Sequence, residues 1–389
     1  MENKKYSILI IGLYVRTHTT AIIDHLKSQN PLADITFMTD KPSEKDVLKH
    51  KDIKIAHYDV SPVRIKNKWL RHLIIDFKQR RFFRKFAKNK HYDIIDIHYP
   101  NRYMSSVIKE LRSMSDRIVI SPWGSDVLRR TEVELKILSK LYNEADFIAT
   151  SINIPLGRKI IDAFKVDPKK FVGIFFGSDT IDYAINHKGE ISQDEAKKRF
   201  SLDGRYVITC GYNQRRAQRH KEIIEAIAQV KSKLPDNLTL LFPMTYGRTM
   251  NDSNIDECKD LCEANGLHAV FITDFLDVKD VYKLRMATDM FVHVQTTDAN
   301  SGSVQEYIIC NKKIVHGSWI KYEELESHKP LFYFPVDKME DLGETILKAY
   351  QSENIDLPKG VIEQVEKKAW KYTSKKMNEF FMSITHDIS

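Results

Sequence analysis

Two carboxylates, Asp298 and Glu306, frame a short polar loop between two apolar runs. Residues 290–294 are apolar and β-rich, which predicts a buried parallel strand, and residues 304–310 predict the first turns of a helix. Loops that follow parallel strands commonly bind ligands. The small residues 301–303 stand where the helix begins, and a helix N-terminus offers unpaired N–H groups to phosphate. This segment therefore predicts a ligand site with a place for phosphate.

A basic turn follows the strand predicted over residues 206–211. It carries Arg215, Arg219 and Lys221, with Arg216 as an alternative. Guanidinium groups bind phosphate oxygens in pairs and an ammonium adds a compact charge, so the turn is suited to a diphosphate. An ordinary basic surface turn is the alternative. The position of the turn at the carboxyl edge of a predicted sheet favours an anion-binding site over this alternative.

A third candidate lies after the strand predicted at residues 118–120, where the chain enters a tight turn containing Trp123, Gly124 and Asp126. Asp126 could orient hydroxyl groups or act as a general base. It could equally cap a helix predicted over residues 127–142, because Asp is a good N-cap. Gly124 indicates close approach of the backbone and favours the site.

The composition of the chain indicates its number of domains, its compartment and the charge of its partner. The chain has 389 residues, 42% of them hydrophobic and 29% charged, which predicts a globular protein of two domains. No apolar run reaches the ~18–20 residues that span a bilayer, and the apolar start of the chain is too short for a signal peptide. The four cysteines, Cys210, Cys258, Cys262 and Cys310, form no disulfide framework, which favours a reducing cytoplasm. The net charge of +8 favours an anionic partner.

Residues 64–90 are unusually basic, with eleven Lys or Arg against one acid, Asp76. Apolar residues recur at helical spacing through this stretch and predict one amphipathic helix; they are Trp69, Leu70, Leu73, Ile74 and Phe77. Such a helix can lie on an anionic membrane. An ordinary core-facing helix with a solvated basic side is the alternative. Nucleic acid is a third possibility that no accompanying motif supports.

The remaining elements alternate between strands and helices. Strands are predicted at 6–12, 35–39, 53–58, 92–99, 238–243, 270–272, 313–315 and 331–335, and further helices at 20–28, 101–111, 222–234, 278–287 and 362–381. The first strand ends at Gly12 without a G-x-G-x-x-G, so a dinucleotide site is not supported. The polar segment 184–196 predicts a linker. We therefore divide the chain into domains 1–185 and 186–361, followed by a C-terminal helical segment, 362–389.

The segment around Asp298 and Glu306 resembles the signature of GT-B nucleotide-sugar glycosyltransferases, most closely the large retaining, family 4-like class of bacterial surface polysaccharide synthesis. The spacing of an acid, seven residues and a glutamate is kept, with Asp298 where the family usually has Glu. The match covers roughly residues 205–320. Gly124 and Asp126 match an H-G-x-D turn of the family, with Trp123 in place of histidine. The resemblance implies an α/β GT-B fold: two Rossmann-like parallel-sheet domains facing a cleft, with a C-terminal helix crossing back to the N-domain.

The resemblance also implies a role for each candidate. Asp298 would hold donor-sugar hydroxyls and Glu306 the ribose, while the basic turn would hold the diphosphate. The other implied positions are Tyr246 and Thr273 at the nucleobase, Ser301, Gly302 and Ser303 at the phosphates, and Gly12, Trp123 and Gly124 on the acceptor side. In retaining relatives the leaving phosphate takes the acceptor proton, whereas an inverting enzyme would need a base such as Asp126. No D-x-D triplet occurs, so we predict no metal and no cofactor.

Together these features predict a glycosyltransferase that moves a sugar from a nucleoside diphosphate to a polyprenyl-diphosphate-linked glycan. It would be cytoplasmic and held at the inner face of the plasma membrane by residues 64–90, with no nucleic-acid partner. Two other functions stay open: a GT-B-fold nucleotide-sugar epimerase, and a non-catalytic protein that binds sugar nucleotides at the membrane. The turn Thr245-Tyr246-Gly247 resembles one in inverting fucosamine-adding transferases, so the stereochemistry is also open.

Overall fold

A computed structural model describes residues 4–13, 19–39, 52–57, 66–247, 252–322, 332–353 and 358–386. The chain forms two compact units. Unit 1 comprises residues 1–177 and 370–389, and unit 2 comprises residues 178–369. Each unit is built on its own sheet, and every strand pairing in the described residues is parallel.

Unit 1 has a seven-stranded sheet in the order β3-β2-β1-β4-β5-β6-β7. The strands are β1 (Ser7–Ile11), β2 (Asp34–Thr39), β3 (Lys54–His57), β4 (Tyr92–His98), β5 (Ser115–Ser121), β6 (Phe147–Ala149) and β7 (Phe171–Val172). The central strands are apolar runs buried on both faces, as expected for a parallel sheet covered by helices. The helices are α1 (Ala21–Gln29), α2 (Lys68–Ala87), α3 (Arg102–Ser106), α4 (Ile108–Arg112), α5 (Ser125–Leu128), α6 (Glu132–Glu144) and α7 (Pro155–Phe164).

Unit 2 has a six-stranded sheet in the order β10-β9-β8-β11-β12-β13. Its strands are β8 (Tyr206–Cys210), β9 (Leu238–Pro243), β10 (Ala269–Ile272), β11 (Met290–His293), β12 (Lys313–Gly317) and β13 (Tyr333–Val336). Its helices are α8 (Asp179–Asn186), α9 (Gln193–Arg199), α10 (His220–Val230), α11 (Asn254–Ala264), α12 (Val278–Ala287), α13 (Gly302–Ile309), α14 (Leu342–Gln351) and α15 (Lys359–Glu366).

The last helix, α16 (Trp370–His386), returns to unit 1 and packs against α1. Trp370 is buried and its ring stacks on His25, with ring centroids 4.8 Å apart. The predicted return of the C-terminal helix to the first domain is therefore confirmed. The predicted single helix over 362–381 is wrong, because the backbone leaves the helix at residues 367–369 and two helices result.

The chain passes between the units after residues 177 and 369. Each of these boundaries lies eight residues from the predicted one, after residues 185 and 361. Residues 184–196 do not form a linker, because they include the end of α8 and the start of α9, and Ala196 is fully buried in unit 2. Val361 and Val365 of α15 are buried in the same core. No helix in the described residues is both long and apolar enough to span a bilayer.

Candidate functional site

The order of the sheet in unit 2 brings the candidate loops together. β8 and β11 are neighbours, yet the chain leaves β8 toward β9 and leaves β11 toward β12. This is the switch point of an open α/β sheet, the place where such sheets commonly bind their ligands, at the carboxyl ends of the strands. The turn after β8, the turn after β9 and the loop after β11 therefore share one edge.

The loop after β11 leads into α13 with its first turn already organised. Ser301 is the N-cap, and its hydroxyl accepts from the Ser303 N–H at 3.2 Å. The Ser301 N–H donates to the Tyr322 hydroxyl at 2.8 Å, and Asn300 holds a positive φ of 82°. A Cβ added at Gly302 would meet nothing closer than Glu306 Oε1 at 3.8 Å, so the fold itself leaves room for a side chain there. The three small predicted residues thus form the N-terminus of a helix at the sheet edge.

Asp298 faces inward, with its side chain 8% exposed, and its predicted role on donor hydroxyls stays a prediction. Its Oδ1 accepts from the Ala299 N–H at 2.7 Å, and its Oδ2 accepts from the Tyr322 hydroxyl at 2.6 Å and lies 3.1 Å from His293 Nε2. Burial alone would raise the pKa of this carboxyl, but His293, Tyr322 and Ala299 hold it below its ordinary value. In this arrangement Asp298 fixes its own loop.

Glu306 is also paired, but at the edge of the site. Arg285, which the sequence analysis did not predict, donates to Glu306 Oε2 from Nε at 3.1 Å and from Nη2 at 3.0 Å. The Ser178 hydroxyl donates to Oε1 at 2.9 Å. Burial would lower the pKa of Arg285, but Tyr307 and Glu306 raise it above its ordinary value. Arg285 thus occupies both lone pairs of Oε2, while Oε1 accepts one hydrogen bond and keeps a lone pair for a further donor.

The basic turn divides into two pairs of residues. Arg216 and Lys221 both form ion pairs with Glu257 on α11, so a phosphate would compete with that carboxylate for them. Arg215 is exposed, makes no side-chain ion pair with another described residue, and passes beside Gly247 next to Tyr246. Arg219 adopts a left-handed conformation (φ 59°), and its guanidinium lies 5.2 Å from the Trp319 ring centroid. Arg215 and Arg219 are thus the better placed of the predicted cations.

Aromatic residues line the same edge. Tyr246 is 55% exposed and follows β9 at this edge, where its carbonyl oxygen accepts from the Gln214 N–H at 2.8 Å. The Tyr212 hydroxyl hydrogen bonds with Gln295 and Ser301, and burial raises its pKa above the ordinary value. Thr273 follows β10 and is exposed. The structure therefore gathers Asp298, Glu306, Ser301 and Tyr246 at one place.

The candidates of unit 1 lie at the carboxyl edge of its own sheet. A Cβ at Gly12 would lie 3.0 Å from His98 Cβ, so Gly12 permits close packing of β1 on β4. Gly124 has a φ of 105°, which favours glycine. Trp123 Nε1 donates to His98 Nδ1 at 3.4 Å, and the Asp96 carboxylate holds His98 Nε2 at 2.9 Å. Asp96 and His98 were missed by the sequence analysis, although two polar residues within an apolar strand were a visible signal.

Asp126 is fully buried in the turn after β5, so its predicted role as a general base stays a prediction that this burial does not favour. The residue is fully buried, and its Oδ1 accepts from the Trp123 N–H at 3.0 Å, which closes the turn. Burial raises its pKa to about 7. The alternative of a capping residue describes it better, although α5 and α6 replace the single helix predicted over 127–142.

Further residues of unit 2 were missed because their partners are remote in sequence. Arg285, Tyr322 and the histidine pair His293 and His316 are buried, and all four act on Asp298, Glu306 or their loop. The histidines had a local signal, since each sits in an otherwise apolar strand. No local feature of the sequence marked Arg285 or Tyr322.

The chemistry available is therefore recognition of a charged, polyhydroxylated ligand. Arg215, Arg219 and the N-terminus of α13 can bind phosphate. Glu306 can accept from hydroxyl groups, and Tyr246 presents an exposed ring to a flat ligand.

Comparisons with known proteins agree with this geometry. Residues 7–152 match the family model described as Glycosyl transferase 4-like. A comparison with curated proteins gives no match. Among solved structures, the chain is similar to a glycosyltransferase from Rickettsia africae (TM-score 0.72, 14% identity, 99% of this chain and 100% of that one). It is also similar to Anabaena HepE in complex with UDP and glucose (TM-score 0.65, 14% identity, 98% of each chain).

A third similar structure is the lipopolysaccharide outer core galactosyltransferase WaaB (TM-score 0.64, 13% identity, 97% of this chain and 99% of that one). Similarity at this level of identity establishes the fold, which is GT-B, with one parallel-sheet domain in each unit. The family match adds that residues 7–152, within unit 1, are similar to the glycosyl transferases of the 4-like family.

Proposed function

We propose that the protein transfers a sugar from a nucleoside diphosphate sugar to a lipid-linked glycan acceptor. The observation that best supports this function is that α13, Glu306 and Tyr246 all lie at the switch point of the unit 2 sheet. A neighbour of the same fold binds UDP and glucose, which supports a nucleotide-sugar donor.

Donor binding would follow the charges of this edge. The diphosphate would lie at the N-terminus of α13, with Arg215 and Arg219 neutralising it. Ribose hydroxyls would donate to Glu306, whose carboxylate Arg285 holds in place. The nucleobase would stack on Tyr246, with Thr273 at its edge. This assignment leaves Arg216 and Lys221 in their ion pairs with Glu257.

We propose a retaining, metal-independent transfer. An inverting reaction needs a base that reaches the acceptor hydroxyl, and the burial of Asp126, the base that the sequence predicts for it, supports a retaining transfer. A leaving phosphate held by arginines can take that proton itself. The anomeric configuration of the product by NMR, and activity in excess EDTA, test these two statements.

The membrane part of the proposal is based on α2. Leu70, Leu73 and Phe77 are 43%, 44% and 67% exposed, although they share one face of the helix. The side away from this row is packed: Gln79 and Phe83 are buried, and Asp76 pairs with Arg102 of α3. An exposed apolar row on a basic helix fits an anionic lipid surface, and an ordinary core-facing helix would not leave these three apolar side chains exposed. Residues 64 and 65 and the side chain of Trp69 lie outside the described residues.

Ligand-induced thermal stabilisation tests the donor site. UDP, GDP, dTDP and CMP, each alone and as a sugar conjugate, would be screened, since a ligand at 100 times its Kd stabilises the folded state by about 2.7 kcal/mol. We expect one base to raise Tm. The shift should vanish in Glu306→Gln, shrink in Arg215→Gln and Gly302→Ala, and persist in Glu344→Gln, a surface control on α14.

The absence of a shift with every nucleotide would reject the donor site. A shift that survives in Glu306→Gln would reject the residue assignment. If the donor binds and only an isomerised free sugar nucleotide appears with membranes present, the protein is an epimerase.

A further inference from the structure

The sheet of unit 1 has a switch point of its own. β1 and β4 are neighbours, yet the chain leaves β1 toward β2 on one side and leaves β4 toward β5 on the other. The carboxyl ends of these strands are therefore a second place where an open α/β sheet commonly binds a ligand. The described loop residues that follow β1, β4, β5, β6 and β7 include no charged side chain. These loops are suited to a neutral ligand, in contrast to the basic turn of unit 2.

Three half-buried aromatic side chains meet at this edge. Tyr99 follows β4, Trp123 follows β5 and Phe176 follows β7. The centroid of the Trp123 ring lies 5.5 Å from that of Tyr99 and 6.1 Å from that of Phe176. Both contacts are edge-to-face, at interplanar angles of 71° and 77°, so neither neighbour lies flat on the indole. We call these three residues the aromatic platform.

A line of buried polar groups beneath the platform fixes the indole. Ser121 Oγ donates to Asp96 Oδ1 at 2.7 Å, and His98 Nε2 lies 2.9 Å from Asp96 Oδ2. Trp123 Nε1 donates to His98 Nδ1 at 3.4 Å, and because an indole only donates, the ring hydrogen of His98 stands on Nε2, toward Asp96. Apolar residues would fill the core of a sheet at least as well. The line instead sets the direction in which the indole points.

Tyr99 has a backbone conformation that its side chain does not favour. Its φ is 53°, in the left-handed region, which large residues rarely adopt and which Asn or Asp tolerates better. The only side-chain hydrogen bond of its hydroxyl in the described residues is from Ser125 Oγ, at 3.4 Å. Residues held in such conformations cluster at ligand sites. A tyrosine kept at this strand end against its local preference indicates a use for its ring.

An uncharged edge with aromatic rings is suited to a sugar. One face of a pyranose presents C–H groups, whose slightly positive hydrogens pack on the negative face of an aromatic ring. Two cations adjoin these loops, and both are engaged: Arg102 pairs with Asp76 at 2.9 Å, and Lys376 donates to the Gly173 carbonyl oxygen at 2.6 Å. A diphosphate, which is best bound by cations that can turn toward it, therefore suits this edge less well than a neutral sugar does.

We propose that the aromatic platform binds a neutral sugar ring, the terminal sugar of the glycan acceptor, and that Asp96 and His98 are positioning residues for Trp123. The identification of this sugar with the acceptor rests on the proposed function, whereas the binding of a neutral sugar to unit 1 does not. Recognition at this edge then depends on the last sugar of the acceptor and not on the diphosphate of its lipid carrier.

The indole N–H resonance of Trp123 in the full chain reports binding directly, with Trp123→Phe assigning the signal. Methyl glycosides of glucose, galactose, mannose, rhamnose and N-acetylglucosamine would be titrated at millimolar concentration, beside methyl glucuronide and inorganic pyrophosphate. We expect at least one neutral glycoside to shift the resonance and neither anion to do so. No shift with any neutral glycoside, or an equal shift with the two anions, would overturn the proposal.

Two variants separate stacking from folding. Tyr99→Asn removes one ring and suits the left-handed backbone, so it should melt close to wild type and weaken glycoside binding on the order of tenfold. Tyr372→Ala removes a ring that is 44% exposed on α16, and it should bind as wild type. Equal affinity of these two variants would reject the aromatic platform.

A second pair of variants tests the positioning role. His98→Gln keeps an acceptor for the indole N–H and a donor for Asp96, whereas His98→Phe keeps neither. We expect the Trp123 resonance and the glycoside affinity to stay near wild type in His98→Gln and the affinity to fall in His98→Phe. Equal affinity in the two variants, with similar melting, would show that His98 only packs and would reject its positioning role.

Addition of the sugar nucleotide that binds best separates this inference from the proposed function. An acceptor sugar should stay bound at Trp123 when the donor is added. Displacement of the glycoside would assign the platform to the donor sugar and overturn the acceptor role. Failure of every sugar nucleotide to bind, with a glycoside still bound at Trp123, would reject the proposed function and the acceptor role with it, but would leave the neutral-sugar site established.

Discussion

Three buried carboxylates show how the surroundings of a residue decide its chemistry. Glu306 has a guanidinium and a hydroxyl, and Asp298 has an imidazole, a phenol and a backbone N–H. Asp126 Oδ1 has one backbone N–H, and Oδ2 is buried without a hydrogen-bond partner among the described residues. A buried charge is stable only when it is paired. The partners of Asp298 therefore hold its pKa below the ordinary value, while burial raises the pKa of Asp126 to about 7.

Asp126→Asn tests this difference. Because the pKa of Asp126 is about 7 in the folded state and near 4 in the unfolded state, wild-type stability falls as pH rises from about 4 to about 7. The amide carries no charge and can still accept from the Trp123 N–H. We expect the variant to lose this part of the pH dependence and to be more stable than wild type at pH 8, as measured by chemical denaturation.

Activity gives a second result for the same variant. Removing a general base costs roughly 10²–10⁴-fold in rate, whereas we expect Asp126→Asn to stay within a few-fold of wild type. A loss of that larger size in a variant that melts normally would restore Asp126 as the base and contradict a retaining transfer.

At the residue scale, sequence could predict which side chains stand at strand ends, but not their partners. Glu306 was identified by its distance from Asp298 along the chain. Its ion pair with Arg285 and its bond from Ser178 join three separate segments. Likewise, Lys221 and Glu257 lie on different helices, so nothing local predicted that this lysine would be engaged.

At the scale of elements, strands were easier to predict than helices. The strands are short apolar runs that the sheet buries on both sides, so their sequence alone marks them. A stretch predicted as one helix divides in two where a capping motif inside it ends the first helix and begins the second. Thr131 and Glu134 form a capping box that starts α6 afresh, which is why 127–142 is two helices. Periodicity also predicted an apolar stripe on α2 without showing that Leu70, Leu73 and Phe77 face solvent while Gln79 is buried.

The exposed row of α2 carries a prediction of its own. Leu70→Ser, Leu73→Ser and Phe77→Ser combined should weaken binding to phosphatidylglycerol vesicles on the order of 10- to 100-fold in sedimentation, because three side chains lose apolar burial in lipid. Melting should change little, since all three are exposed in the protein. The matched control is Leu32→Ser with Val133→Ser, which are 54% and 72% exposed elsewhere in unit 1. Equal binding of the two variants would reject α2 as the lipid-facing element.

At the scale of the molecule, the C-terminal helix is part of unit 1 rather than an appendage. A Cβ at Gly177 would lie 2.4 Å from Trp370 Cδ2, so Gly177→Ala must displace the buried indole. Such overpacking costs about 1–3 kcal/mol, and we expect a lower melting temperature for unit 1. In Gly173→Ala the nearest atom is Lys376 Nζ at 3.8 Å, which makes it the matched control. Similar melting of both variants would mean that the Trp370 packing is dispensable.

The way α16 completes unit 1 has a consequence for synthesis on the ribosome. Unit 2 is one uninterrupted segment, and its two ends are joined by a bond from the Ser178 N–H to the Lys368 carbonyl at 3.1 Å. All of unit 2 has therefore been translated before Trp370 is added. The earlier 177 residues of unit 1 must wait with the face of α1 uncovered until α16 emerges. The segment made second can thus fold first, and the nascent first half is the part that most needs protection by chaperones.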